Sequence, residues 1–192
     1  MINNLKYFIF IIFFYLHTHV VVKANETFVF DITEIEILKN GNQINGYNGG
    51  TATSEDGSKI IGENFFYNKL TNILEVTGNV KYLDGKKNLV ITSDKAVYLK
   101  NKEKIYTSGN SKKIYTSGNS KAVNENNTIT ASNLEYDKIN NIFTAKKDAV
   151  VEDFEKNSTI YADQIIYLKD EEKVYTSGNS KAVNENNTIT AS

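Results

Sequence analysis

The sequence predicts an all-β protein built from repeats of about 30 residues, each repeat holding two strands. Three observations carry this. Apolar and polar residues alternate with period two, clearest over Thr128–Ala145, where Ile129, Ala131, Leu134, Tyr136, Phe143 and Ala145 share one face. The same pattern recurs along the chain. No long 3.6-residue period and no capping box before an apolar run offers a helix.

The recurrence is measured by its anchor isoleucines at 60, 91, 129, 160 and 189, spaced by 31, 38, 31 and 29 residues. The long step contains a tandem, Lys104–Lys112 (KIYTSGNSK) followed at once by Lys113–Lys121. Without those nine residues the step is 29, so the unit holds about 30 residues, as in repeat architectures.

Taken in order, residues 1–24 read as a secretory signal peptide. Lys6 supplies the positive start, Tyr7 to Leu16 an apolar run too short to span a bilayer, and Val22-Lys23-Ala24 a small-x-small cleavage site. The alternative is an uncleaved membrane anchor. The domain proper is expected over 25–192. Thr27 to Ile37 alternates as a strand with one phase shift near Thr33, a bulge signature. Asn40-Gly41-Asn42 is a hairpin turn. Gln43 to Tyr47 reads as the return strand and Thr51 to Ser54 as a separate short one. From Ser58 the repeats run, with two strands of about eight residues each and two kinds of polar turn: Asn68-Lys69 or Asp137-Lys138, and Asp84–Asn88 or Asn124–Asn127. Turns this short favour antiparallel hairpins. Mid-unit motifs Thr77-Gly78-Asn79-Val80, Ser108-Gly109-Asn110-Ser111 and Ser177-Gly178-Asn179-Ser180 place a glycine inside each strand pair. A glycine there marks a kink. Repeated at one level, it would fold the sheet into a V.

Composition narrows the function. A net charge of −1 argues against nucleic acid as a partner. There is no cysteine, hence no disulfide or thiolate chemistry. The only histidines, His17 and His19, fall in the signal peptide, so the mature chain has neither histidine catalysis nor histidine metal ligands. Tyr115–Ser132 and Tyr175–Ser192 are identical over 18 residues, and the chain stops inside the second copy. Packing does not demand identity at outward positions such as Asn124. A C-terminally truncated or rearranged piece of a longer protein is the expectation.

No catalytic, metal or cofactor site is expected. Asp94 and Asp163 occupy equivalent repeat positions, but Ser132 and Asn133 stand there in the middle unit, so they read as turn residues. The Gly-Asn motifs lack the lysine and helix of a phosphate loop. The candidate site is instead the inward row: Leu74, Val76, Val80, Tyr82, Ile91, Tyr98, Ile105, Ile129, Ala131, Leu134, Tyr136, Phe143, Ala145, Ala149, Val151, Ile160, Ala162, Ile165 and Tyr167. By periodicity alone it is either a dry sandwich core or an apolar groove open at its ends.

The pattern I-x-A/S-D-x-x-x-Y followed by L-x-A/V-x-G-N-V resembles the OstA-like family of lipopolysaccharide-transport proteins, which comprises stand-alone LptA and the N-terminal domain of LptD. The matching segments are Ile91–Tyr98 with Ile105–Asn110, Ile129–Tyr136 with Phe143–Val151, and Leu74–Val80. Phe28–Asp31 and Ile35–Ile37 look like the LptD start. The resemblance implies an antiparallel β-jellyroll of two sheets in an open V. It implies a non-enzymatic periplasmic bridge domain that carries the acyl chains of lipopolysaccharide in the inward row. Its partners would be neighbouring jellyroll domains, joined by edge-strand addition, and the outer-membrane assembly complex. LptD would continue into an outer-membrane barrel and usually carries cysteines, and the tandem insert is foreign to the pattern. A secreted β-solenoid adhesin or binding module is the alternative. A carbohydrate-active β-helix enzyme would need clustered carboxylates that the repeats do not supply.

Overall fold

The structure, a computed structural model, describes residues 27–109 and 120–191. The expected signal peptide and most of the second KIYTSGNSK copy lie outside them. The described residues form fifteen strands and three short 3-10 turns, with no α-helix. The strands are β1 (Phe28–Leu38), β2 (Gln43–Ser54), β3 (Lys59–Gly62), β4 (Asn64–Asn68), β5 (Ile73–Asp84), β6 (Leu89–Leu99), β7 (Lys104–Ser108) and β8 (Ser120–Val123). They continue with β9 (Asn127–Ala131), β10 (Asn133–Asp137), β11 (Ile142–Asp153), β12 (Ser158–Leu168), β13 (Lys173–Ser177), β14 (Ser180–Asn184) and β15 (Thr188–Ala191).

All pair antiparallel in one sheet, and each long strand pairs with the strands before and after it in the chain. The sheet is creased along a line that the long strands cross and the short ones flank, and the crease produces its two leaves. β2, for example, pairs β3 through Gly50–Thr53 and β4 through Gln43–Gly46. β5, β6, β11 and β12 cross the crease as single strands of 11 or 12 residues. β3/β4, β7/β8, β9/β10 and β13/β14 break there. The first leaf holds the turns at 55–58, 85–88, 124–126, 154–157 and 185–187 at its free rim. The second holds those at 39–42, 69–72, 100–103, 138–141 and 169–172.

The crease has a local chemical cause. Register shifts occur at Ile32/Glu34, Thr77/Val80 and Lys146/Ala149. Positive φ pairs mark the bend: Gly78 and Asn79, Lys147 and Asp148, Gly178 and Asn179. The glycines are needed because a Cβ on Gly78 would stand 2.4 Å from the Glu63 carboxylate and one on Gly178 2.3 Å from that of Asp163. The same acids clamp the bend, since Asn79 Nδ2 donates to Glu63 and Asn179 Nδ2 to Asp163 at 3.0 Å. Asp163 therefore acts as a crease residue. Six of the ten hairpin tips are also built locally: an Asn or Asp side chain accepts from the backbone N–H groups two and three residues on, at Asn68, Asp84, Asn124, Asp137, Asp153 and Asn184.

The expected V is thus a fold of one continuous sheet. Two expectations need correcting. Six strands are 11–12 residues where about eight were expected, because they run through the crease, and the other nine, of 4–5 residues, stop at it. Gln43–Tyr47 and Thr51–Ser54 are one strand, β2, bent at Asn48 and Gly49, whose φ values are +63° and +86°. The glycines there serve the bend and do not end the strand.

The apolar interior as candidate site

Register fixes which side chains share the interior. In the second leaf one row runs Ile44, Tyr67, Leu74, Tyr98, Ile105, Tyr136, Phe143, Tyr167, Val174 across successive strands. In the first leaf the facing row runs Ala52, Ile60, Tyr82, Ile91, Ala122, Ile129, Val151, Ile160, Ala182, Ile189. Next to the crease small inward residues, Gly62, Ala96, Ala131, Ala145, Ala149 and Ala162, stand among larger Phe65, Val76, Leu134 and Ile165. Two leaves converging at an angle leave little space at their join, which the small residues relieve, and the tyrosines stand towards the rims. A Cβ on Gly62 would meet Val76 at 2.3 Å.

All nineteen predicted inward residues lie on this interior, and all except half-buried Ile160 are buried. The structure adds Phe28, Ile44, Ala52, Ile60, Phe65, Tyr67, Leu89, Ala96 and Ala122, which belong to the same cluster. Their alternation is legible in the sequence, but the predicted row starts at Leu74 and passes over Leu89, Ala96 and Ala122 beyond it. The leaves touch through aromatic rings: Phe28 packs edge-on to Tyr67 and Tyr98 at 5.2 and 5.7 Å, and Tyr82 to Tyr98 at 6.4 Å. Within the second leaf, Tyr136 stacks on Phe143 at 4.5 Å and Phe143 on Tyr167 at 6.4 Å. In its middle, therefore, the interior is filled.

At its ends it is not. A cavity of 600 Å³ opens at the C-terminal end, with Val151, Ile160, Tyr167 and Val174 on its floor and Lys87, Lys156, Lys169 and Glu172 at its rim. One of 540 Å³ lies at the N-terminal end, lined by Phe28, Phe30, Ile44 and Tyr67 together with exposed Val29, Ile35 and Ile37. The exposed inward face is plainest in the duplicated sequence. In the first copy Ala122, Ile129 and Ala131 are 2%, 1% and 0% exposed; in the second, Ile189 is 68% exposed and Ala191 lies in the open. Identical residues thus stand in opposite environments, set by whether a facing leaf covers them.

Burial shapes the polar chemistry along the rims. Lys138 Nζ, its side chain 8% exposed, reaches across the mouth to the Asp56 carboxylate, to Ser58 Oγ at 3.0 Å and to Glu103 at 3.4 Å. Burial pulls the Asp56 carboxyl upward, but hydrogen bonds from Lys138 and Ser58 outweigh it and hold the group well below the usual carboxylate range. Burial likewise raises the phenols of Tyr82, Tyr98 and Tyr136. Among the described residues no group of three or more His, Cys, Asp or Glu is placed to hold a metal.

These features define an all-β, antiparallel folded sheet with an apolar interior and a cavity at each end. The family described as "LptA/(LptD N-terminal domain) LPS transport protein" matches over residues 59–173, which is 115 of 192, and the chain belongs to that family. Among solved structures, the chain is similar to LptH, the LptA homologous periplasmic component of the conserved lipopolysaccharide transport device from Pseudomonas aeruginosa. The two share 10% identity, with 79% of this chain and 82% of that one covered, at a TM-score of 0.32. No curated protein matches in sequence.

Proposed function

We propose that this chain is a periplasmic bridge domain of lipopolysaccharide transport, holding acyl chains between its two leaves. The observation that carries this is the unbroken apolar row from Ile44 to Val174, which ends in a cavity at each end. An acyl chain leaving water for this surface gains about 25 cal/mol per Å² buried, and no covalent chemistry is needed. The open edges, β1 at one end and β13 with β15 at the other, have backbone groups free to take a strand of a neighbouring jellyroll domain. A solenoid adhesin would stack Asn or Ser inside. Here Tyr, Ile and Phe stand inside and the Asn residues cap the turns.

The test is capture of lipopolysaccharide by a photoreactive phenylalanine analogue. Placed at Val174 or Tyr167 in the cavity, or at Tyr136 or Phe143 deeper in, it is expected to label strongly. At outward Glu135 and Thr144, one residue away on each strand, it is expected to label weakly. Equal labelling at all six positions would reject the interior as the carrier.

A further inference from the structure

The two end cavities are separated by a closed stretch, filled inside by aromatic rings and bridged at the rims by polar groups. The six long strands run through the crease and join the leaves there, so the free rims are where the V can open. Across those rims, Lys138 on the second leaf contacts Asp56 and Ser58 on the first, partners about 80 residues away in the chain. Lys87 Nζ on the first leaf donates to the Lys138 carbonyl at 2.7 Å. The cluster also holds the largest rings beneath it: Tyr98 OH lies 3.4 Å from Lys138 and donates to Glu103, and Tyr82 OH lies 3.3 Å from Ser58 Oγ.

We infer that Lys138 is the centre of a releasable strap, which shuts the mouth of the V and must let go before an acyl chain can run from one end cavity to the other. The inference rests on the lipid-carrying reading for its passenger, though not for the closure itself. An ion pair suits such a role. A buried pair gains little over apolar packing, because desolvation offsets most of its attraction. On opening, water re-solvates both partners, whereas a parted apolar contact would be left facing water. Opening also frees Tyr82 and Tyr98 to swing without breaking any strand pairing.

Amide hydrogen exchange on the full chain without lipid tests the strap. Lys138→Met is expected to speed exchange at Ser58, Glu103 and Lys138's neighbours in the tips by roughly ten-fold or more, leaving the crease amides of Glu63 and Asp163 at parental rates. Lys138→Arg should restore protection. Should Lys138→Met fail to fold, Asp56→Asn, which leaves Glu103 as partner, must show the same local pattern with smaller size. Unchanged rates, or a rise spread evenly over tips and crease, would overturn the strap. A second arm places the photoreactive analogue at Ile105, in the closed stretch, and adds lipopolysaccharide. Lys138→Met should raise capture there several-fold while leaving capture at Val174 unchanged. Equal capture at Ile105 with and without the strap rejects its control of passage. No capture at either position in any variant rejects the lipid reading and passage with it, while the exchange result still decides the closure.

Discussion

Asp56 lies under two opposing influences, burial and a bound cation, and the cation wins. Its folded pKa lies below the unfolded value of 3.8, and that of Glu103 lies below 4.5, because Lys100, Tyr98 and Lys138 together outweigh burial. A carboxyl with a depressed folded pKa contributes stability that is fully present above its unfolded pKa and is lost as pH falls towards the folded one. Stability should therefore hold level above about pH 4.5 and fall below it as both groups protonate. Chemical denaturation at stepped pH is expected to show this slope in the parent and a shallower one in Asp56→Asn. Exposure decides a second contrast at this scale. Ile129→Asp and Ile189→Asp make the same change in the same 18-residue sequence. The first places a charge in a site 1% exposed and should cost about 4 kcal/mol or prevent folding; the second, at 68% exposure, should stay within about 0.5 kcal/mol. Equal effects in denaturant titrations would mean that the end face is covered in solution.

At the scale of the strand, the crease was legible because glycine followed by asparagine marks it in Gly78-Asn79 and Gly178-Asn179, and both positions take positive φ. It was less legible in β11, where Lys147 and Asp148 adopt the same backbone with no glycine to signal it. Lys138 was read as part of a polar turn, which it is. That its side chain turns inward to meet Asp56 depends on two leaves folding together, and no local pattern encodes it. Most of the tandem, residues 110–119, lies outside the described residues; its start, Lys104–Ser108, is strand β7, and its end joins β8. Ile105 and Thr107 face inward before those residues and Ala122 after them, so the alternation survives an odd insertion. β13 and β14 carry nearly the same sequence, Lys173–Lys181, with only Gly178 and Asn179 between them. Because the copies are identical, deleting either gives the same protein, whose β7–β8 would match β13–β14. That deletion should leave stability unchanged or raised by up to about 1 kcal/mol, since loop closure costs grow only with the logarithm of length. Unfolding of the shortened chain would show that the extra residues are structural.

At the scale of the molecule, the leaves share one interior, and when the pairs β3/β4, β7/β8, β9/β10 and β13/β14 are each counted as one strand broken at the crease, every strand pairs only with the one before and the one after it. Stability then resembles a sum over adjacent units. Ending the chain after Leu168 should remove β13 to β15 and expose Tyr167 and Ile165 while leaving the earlier units folded, with circular dichroism keeping its β signature. Loss of the whole fold would show that the last hairpins are needed by all the others. The neighbour-only pairing also governs how the fold is reached in time. All-β domains fold slowly when distant segments must find each other. Here the sheet can lengthen one hairpin at a time behind an emerging N-terminus, each new strand docking on an edge already in place. The chain can thus acquire its shape as it lengthens, without waiting for its last residue.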